Sequence, residues 1–193
     1  IAWDLRKEPY IAPRPAKYAG VKYRISGWGF YECESSWNYE GYEGKPIEVY
    51  VFAECDEIIL YVNGKEVGRQ SRTDNGVYLF NTIYERGEIS ATAILDGKKY
   101  TSKITTEGKP NKIALVKEKS YLTKHTKKQE DNIVFVSVEI QDENGKLCTQ
   151  DDRFISYKAD GAEILGVASG NLTTEAIYSE PNKEVYRGRA LVV

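Results

Sequence analysis

The feature that most constrains the fold of this chain is an alternation of apolar and polar residues with a period of two. The apolar side chains of Val134, Val136, Val138 and Ile140 occupy every second position, and the stretch Ile89–Leu95 alternates in the same way. Residues two apart share one face only in an extended strand. Since no stretch keeps a helical apolar period for more than about two turns, the pattern predicts an all-β chain.

Turn dipeptides separate the predicted strands. Asn63-Gly64 and Asp96-Gly97 each stand between two alternating stretches, and both dipeptides suit the two positive φ angles of a type I′ hairpin. Asn75-Gly76, Asn144-Gly145 and Asp160-Gly161 are further turn signals. Short strands joined by such turns, without helices between them, predict antiparallel β-sandwiches rather than a parallel sheet.

A polar segment with Gly and Pro, Thr106–Asn111, divides these strands into two sets. We therefore place an aromatic-rich arm and a first sandwich in residues 1–107, and a second sandwich in residues 108–193. The arm, residues 1 to about 45, contains all three Trp and six of the 15 Tyr. Because aromatic side chains need burial or a contact, we expect the arm to pack on the first sandwich, on a neighbouring domain or on a ligand.

Four residues of the arm are candidates for sugar binding. The rings of Trp28, Trp37, Tyr39 and Tyr42 could stack on the apolar face of a pyranose. The alternative is that these side chains fill a core or a domain interface. An exposed row of rings would favour the first interpretation, and burial would favour the second.

Charge and composition argue against several partners. With 27 Lys plus Arg against 29 Asp plus Glu the net charge is −2, which does not suit a protein that neutralises nucleic-acid phosphates. No stretch approaches the roughly 18 apolar residues of a membrane span, and no apolar segment marks a secretory signal. We therefore expect neither a nucleic acid nor a membrane as partner. The absence of Met, even at position 1, leads us to expect a processed chain or a piece of a longer one.

No group of residues predicts catalysis, a metal or a cofactor. The one imidazole, His125, stands among Lys124, Lys127 and Lys128, and a solvated loop accounts for it better than a hydrolase triad. Asp142–Gly145 lacks the spacing of a calcium loop and is typical of a hairpin turn. The three cysteines are too few and too odd in number for a disulfide scaffold. Cys33 and Cys55 could pair if their strands are neighbours.

A series of motifs resembles a known family. Ser36–Gly41, Lys45–Val51 and Cys55–Lys65 (SWNYEG, KPIEVYV and CDEIILYVNGK) are similar to the first accessory β-sandwich that follows the catalytic barrel in bacterial β-galactosidases of glycoside hydrolase family 2. The second half resembles the next domain of the same proteins through the segments Glu107–Ile113, Val136–Asp142, Ile164–Asn171 and Tyr186–Val193. The order of the motifs is the family's order, and the resemblance implies an all-β fold of two tandem immunoglobulin-like antiparallel β-sandwiches.

The resemblance implies a retaining, β-galactosidase-like parent whose catalytic Glu residues lie on an upstream (β/α)₈ barrel. Such a barrel takes roughly 250 residues, more than the 193 residues here, so we expect this chain to be non-catalytic and to support the barrel or an oligomer. The missing barrel is then its partner, with carbohydrate a possible second one. A carbohydrate-binding module or a surface-adhesion repeat are the alternatives. The family also implies a bacterial protein in the periplasm or outside the cell.

Overall fold

The computed structural model describes residues 6–23, 27, 29–120 and 133–193. The chain divides into two compact units, Ile1–Thr106 (unit 1) and Glu107–Val193 (unit 2), which we describe separately. The described elements are thirteen strands and one short 3₁₀ helix, Ala16–Tyr18. The predicted all-β fold, made of antiparallel sheets, is therefore confirmed. Trp28 and the segment around His125 lie outside the described residues. None of the described helices could cross a membrane, being neither long nor apolar enough.

Unit 1 contains two antiparallel sheets. The first, in the order β1-β2-β5, is formed by Tyr10–Pro13, Pro46–Phe52 and Val77–Ile83. The second has the order β4-β3-β6-β7; its strands are β3 Glu57–Val62, β4 Lys65–Ser71, β6 Glu88–Leu95 and β7 Lys98–Thr105. Sheets of this kind bury one face each and leave the other face outside.

The alternation seen in the sequence selects the buried faces of unit 1. Every second residue of β2 and β6 is almost inaccessible, and the same holds for β3 from Ile58 to Val62. Burying a Val, Leu or Ile side chain stabilises the fold by about 1.5–3 kcal/mol. The residues that form the period-two pattern are therefore the ones that form the core. The inward residues of β2 and β6 are Ile47, Val49, Val51, Ile89, Ala91 and Ala93.

Both predicted type I′ hairpins are present. Asn63 and Gly64 have φ angles of 49° and 77° and join β3 to β4, where Val62 pairs with Lys65. Asp96 and Gly97 have φ angles of 50° and 72° and join β6 to β7, where Leu95 pairs with Lys98.

Unit 2 also has two antiparallel sheets. One has the order β11-β13-β9-β8, and its strands are β8 Lys112–Ser120, β9 Val134–Gln141, β11 Val167–Ala168 and β13 Arg189–Val192. The other is a ribbon of β10 Phe154–Ser156 and β12 Asn182–Glu184. Their buried side chains form a separate core, made of Val138, Ile140, Cys148, Ile155, Val167, Val185 and Ala190.

One turn of unit 2 escapes sequence-based prediction. Arg187 and Gly188 have φ angles of 52° and 72° between Tyr186 and Arg189, which pair with each other. Arg rarely adopts the left-handed region, so the dipeptide carries no turn signal. A Cβ on Gly188 would collide with the carbonyl oxygen of Cys148, which explains the glycine there.

Candidate functional site

Two of the predicted sugar-binding residues lie in the core of unit 1. Trp37 and Tyr39 are 1% and 7% exposed. Their rings meet the ring of Tyr84, with centroid distances of 4.9 Å from Trp37 and 5.5 Å from Tyr39, in edge-to-face geometry. Edge-to-face contact suits the quadrupoles of aromatic rings, so the cluster is a stable part of the core.

Hydrogen bonds fix this cluster in place. Trp37 Nε1 donates to the Glu85 carbonyl at 2.9 Å, and the Tyr39 amide donates to the Tyr84 hydroxyl at 3.1 Å. The Trp37 carbonyl accepts a bond of 2.8 Å from the Thr106 hydroxyl. The polar edges of Trp37 and Tyr39 are thus bonded within unit 1, and their ring faces are covered.

The other two candidates are in different positions. Tyr42 is half-buried against the same core, and the Lys45 ammonium lies 4.7 Å from its ring centroid. Trp28 lies outside the described residues. Among the described residues, the structure therefore brings Trp37 and Tyr39 together inside the protein, and it does not form an exposed row from the predicted rings.

An aromatic surface of unit 1 lies elsewhere, on the outer side of the β1-β2-β5 sheet, and it is partly exposed: Tyr50 is 7% exposed and Phe52 is half-buried. Cross-strand pairing places Tyr10 beside Phe52 and Tyr50 beside Leu79, all pointing away from the core. Tyr10, Leu79 and Ile83 are 43%, 39% and 44% exposed. We call this surface, formed by Tyr10, Tyr50, Phe52, Leu79 and Ile83, the aromatic face.

Part of the arm packs on the aromatic face. The ring centroid of Tyr31 lies 5.0 Å from that of Tyr50 and 5.5 Å from that of Phe52. The hydroxyls of Tyr23 and Tyr50 are hydrogen-bonded. Burial, with this bond, raises the pKa of Tyr50, so the hydroxyl stays protonated at neutral pH. The described arm residues thus cover one part of the face and leave the β5 side open.

Arg14 holds the arm to the sheet. Its side chain is 2% exposed, and its guanidinium donates to Glu48 at 2.8 Å and to Glu32 at 3.1 Å. Glu48 belongs to β2 and Glu32 to the arm, so one cation bridges the two. The guanidinium also lies 4.2 Å from the ring centroid of Tyr23, a cation–π contact.

The outer face of the other sheet of unit 1 has the opposite character. Arg69 pairs with Glu57 at 2.7 Å and with Glu66 at 3.0 Å, and the hydroxyls of Thr92 and Thr101 are 2.9 Å apart. Charged and hydroxyl side chains are typical of a face turned to water. Ile59, which pairs with Arg69 and Thr92 on this side, is only 4% exposed. The exposed groups of this face are therefore polar, whereas those of the aromatic face are apolar.

Two buried carboxylates of unit 2 have oppositely shifted pKa values, a pattern that can mark an acid–base pair. Burial raises the pKa of Glu107, while hydrogen bonds from the Gly108 and Lys146 amides lower the pKa of Asp142. Both carboxylates already accept hydrogen bonds from the protein. Asp142 accepts three from backbone N–H groups at 2.8–2.9 Å, and Glu107 accepts one from the Thr149 hydroxyl and one from the Gln150 backbone N–H. With 6% and 2% exposure they offer a substrate no approach, so they stabilise unit 2.

The cysteines are not arranged for disulfide or metal chemistry. All three are free thiols, including Cys33 and Cys55. Cys148 is buried, and burial raises its pKa to about 11, so it is protonated and unreactive near neutral pH. Within the described residues, no three His, Cys, Asp or Glu side chains are grouped so as to hold a metal ion.

Sequence reasoning missed the aromatic face although the signal was present. Tyr50 and Phe52 alternate with the inward-pointing Val49 and Val51, so the same period that predicts the core also places these rings on the outer side of the sheet, where Tyr50 is nevertheless only 7% exposed. Tyr10 gave no such signal, because its strand is four residues long and ends at Pro13.

Two families match the chain. Residues 44–101 match the family described as "Domain of unknown function (DUF4982)". Residues 120–193 match the family described as "Glycoside hydrolase family 2 C-terminal domain 5". The two matches follow one another along the chain, the first within unit 1 and the second within unit 2.

Longer proteins resemble nearly the whole chain. It is 32% identical over 96% of its length to the β-galactosidase BoGH2A of Bacteroides ovatus and 30% identical over 66% to a β-glucuronidase of Formosa agariphila. A crystal structure of a glycosyl hydrolase family 2 member from Bacteroides cellulosilyticus shares the fold with a TM-score of 0.85 over 98% of the chain, at 22% identity.

The chain spans only part of these relatives: 23% of the B. ovatus protein, 13% of the F. agariphila protein and 25% of the B. cellulosilyticus chain. The motif order predicted from the sequence, the C-terminal-domain match and the shared fold agree with one another. The chain therefore belongs to glycoside hydrolase family 2, as a part of its C-terminal β-sandwich region.

Proposed function

We propose that this chain is a non-catalytic support: it docks onto the catalytic barrel, or stabilises the oligomer, of a retaining glycosidase that hydrolyses β-galactosides. The similarity to a β-galactosidase over 96% of the chain supports the substrate. The location of the whole protein in the periplasm or outside the cell, in a bacterium, is part of the same proposal, and cell fractionation would test it.

The observation that carries the supporting role is the contrast between the two outer faces of unit 1. The polar face has ion pairs and paired threonine hydroxyls, while the aromatic face leaves Tyr10, Leu79 and Ile83 about two-fifths exposed. Tyr10 and Leu79 are joined through the rings of Phe52 and Tyr50, whereas Ile83 lies beyond the Glu48–Asn81 pair. A continuous apolar surface of this kind marks a protein contact. Since this chain spans only 23% of the B. ovatus protein and 13% of the F. agariphila protein, the remaining part of such a protein is the partner we propose.

A chimera tests this docking. In the B. ovatus β-galactosidase, the region that matches this chain is replaced by the chain itself, and the product is compared with the enzyme that lacks the region. We expect the chimera to have the higher melting temperature and the higher activity on p-nitrophenyl β-galactoside. The isolated chain is expected to leave the same substrate intact.

Two single substitutions locate the contact. Leu79→Glu adds a carboxylate to the aromatic face, and Ser71→Glu adds one to an exposed position of the other sheet. We expect only Leu79→Glu to remove the gain in melting temperature, because it would bury a charge in the contact. Equal effects of the two substitutions, no gain from the chain, or turnover by the chain alone would each contradict the proposal.

The substrate is tested on the whole protein that contains this chain. We expect faster hydrolysis of p-nitrophenyl β-galactoside than of the corresponding β-glucuronide. A preference for the glucuronide would place the protein with the F. agariphila relative instead and would overturn this part of the proposal.

A further inference from the structure

The outer side of the β10–β12 ribbon in unit 2 is a second face with exposed rings. Phe154 pairs with Glu184 across the ribbon, and Ser156 pairs with Asn182. Just beyond the strand ends, the Val185 amide donates to the Arg153 carbonyl at 3.0 Å, which brings Asp152 and Tyr186 to the same end of the ribbon. Phe154 is 65% and Tyr186 37% exposed. The face therefore alternates exposed aromatic rings with exposed carboxylates, and we call it the ribbon face.

The ribbon face rests on a fixed base. The intervening residues Ile155, Lys183 and Val185 point inward and are 8%, 4% and 2% exposed. The Lys183 ammonium donates to the carbonyls of Val167 and Ile177 at 2.6 and 2.9 Å, which ties the ribbon to β11 and to the loop that precedes β12. The rings on the outer side therefore lie on a preorganised support, which limits the entropy lost on binding.

Polar groups surround the rings. The Asp152 carboxylate accepts the Arg187 amide at 2.7 Å, and Ser156 donates to the Asn182 side chain at 2.6 Å. Beside them lies a cavity of about 400 Å³, walled by Asp152, Glu184 and Tyr186 on one side and by the loop Asn171–Thr173 on the other. The cavity is open to solvent along the ribbon and offers both acceptors and donors.

We infer that the ribbon face binds a neutral glycan. Sugar hydroxyls are donors that suit the Asp152 and Glu184 carboxylates, and hydrogen bonds to an ionised acceptor are the stronger ones. The apolar C–H face of a pyranose suits the rings of Phe154 and Tyr186. The Arg187 guanidinium lies 5.9 Å from the ring centroid of Tyr186, but the charged groups that wall the cavity itself are the Asp152 and Glu184 carboxylates. A uronic acid is therefore disfavoured in the cavity, because its own carboxylate would lie near these two.

The composition of the face favours a glycan over a protein as its occupant. The core of a protein interface is depleted in Asp and Glu, whereas here a carboxylate stands directly across the ribbon from Phe154. The inference does not depend on the supporting role of unit 1, since none of its residues belongs to the aromatic face.

The test uses the 193-residue chain and two-dimensional ¹H–¹⁵N NMR. Lactose is the neutral probe and sodium glucuronate the anionic one. We expect lactose to shift the amides of residues 152–156 and 182–187, and glucuronate to bind at least tenfold more weakly. Glu184→Gln keeps the shape of the side chain and removes its charge. We expect it to reduce the difference in affinity between lactose and glucuronate.

Substitutions that remove an aromatic ring are the second part of the test. Phe154→Ala and Tyr186→Ala are each expected to weaken lactose binding at least tenfold, while Phe30→Ala, which removes a 76% exposed ring from unit 1, leaves it unchanged. The spectrum of each variant shows directly that it is folded. No amide shift at about 50 mM lactose, a concentration that detects even millimolar affinity, would overturn the inference. Two other results would also overturn it: glucuronate binding as tightly as lactose, or a protein partner binding to the ribbon face while lactose causes no amide shift there.

Discussion

At the residue scale, Asn63 combines two functions that a sequence pattern does not separate. Its backbone adopts the left-handed conformation of the β3–β4 hairpin. Its side chain also accepts the Glu88 amide at 2.8 Å and donates to the Arg86 carbonyl at 3.0 Å. The turn residue thus fastens the connection between β5 and β6 as well.

Replacing Asn63 by Gly separates the two functions, because glycine keeps the positive φ and removes the side chain. We expect Asn63→Gly to lower the free energy of unfolding by about 1–2 kcal/mol, because it removes three side-chain hydrogen bonds, the third being an exposed bond of 3.3 Å to the Glu85 carboxylate. Asp96→Gly is the matched control in the other type I′ turn, and we expect a change within about 0.5 kcal/mol. Urea unfolding followed by Trp fluorescence measures both, since Trp3, Trp28 and Trp37 all belong to unit 1. Equal effects of the two substitutions would show that the Asn63 side chain contributes nothing.

At the scale of elements, a single buried cation joins one segment of the arm to the sheet. Arg14 joins β2 to the segment around Glu32, and neither partner is as deeply buried as Arg14 itself: the Glu48 and Glu32 side chains are 27% and 41% exposed. Solvent weakens each ion pair accordingly. The geometry nevertheless needs a planar guanidinium, because two carboxylates bond to different nitrogens of one group.

We expect Arg14→Lys to loosen the arm without unfolding the sheets. A single ammonium cannot reproduce the two bonds and the contact with Tyr23, and the expected loss is roughly 1–3 kcal/mol. Limited proteolysis would then cut the arm between Arg14 and Cys33 faster than in the unchanged chain. Arg72→Lys is the control, because Arg72 is half exposed and its ion pair with Asp56 is long, 3.9 Å. If both variants are cut at the same rate, Arg14 does not hold the arm.

Sequence patterns predict the strands of this protein better than its surfaces. The period of two finds the buried side chains of β2, β3 and β6, and the Asn-Gly and Asp-Gly dipeptides find two hairpins, because both signals are local. Trp37 and Tyr39 belong to an irregular segment without such a period, so their burial depends on a distant residue, Tyr84.

The ribbon face shows the same limit. Phe154 and Glu184 are thirty positions apart in the sequence, and only the pairing of β10 with β12 makes them neighbours. Nothing in either strand, each three residues long, indicates that the two belong to one ribbon. The exposed rings are therefore determined by the pairing of short strands that are distant in the sequence, and local sequence patterns cannot predict that pairing.

At the scale of the whole molecule, two buried carboxylates give unit 2 a pH dependence with two opposite contributions. The pKa of Asp142 is lowered in the folded state, so its stabilising contribution is present above the unfolded pKa of about 3.9 and is lost as the pH falls. The pKa of Glu107 is raised by burial. Its contribution is present below the unfolded value of about 4.3 and is lost as the pH rises through the folded value.

The stability of unit 2 is therefore expected to reach a maximum in mildly acidic solution and to fall on both sides. Glu107→Gln should remove the decline towards neutral pH, and Asp142→Asn should flatten the decline on the acidic side. Asp142→Asn should also cost about 1–3 kcal/mol at pH 7, because an amide nitrogen or a neutral oxygen replaces an ionised acceptor of three backbone N–H groups. Glu143→Gln removes an exposed carboxylate from the same turn and should leave the profile unchanged. Urea unfolding at several pH values, followed through the NMR signals of residues 133–193, measures each profile. A Glu107→Gln profile identical to that of the unchanged chain would show that burial of this carboxylate does not set the response to pH.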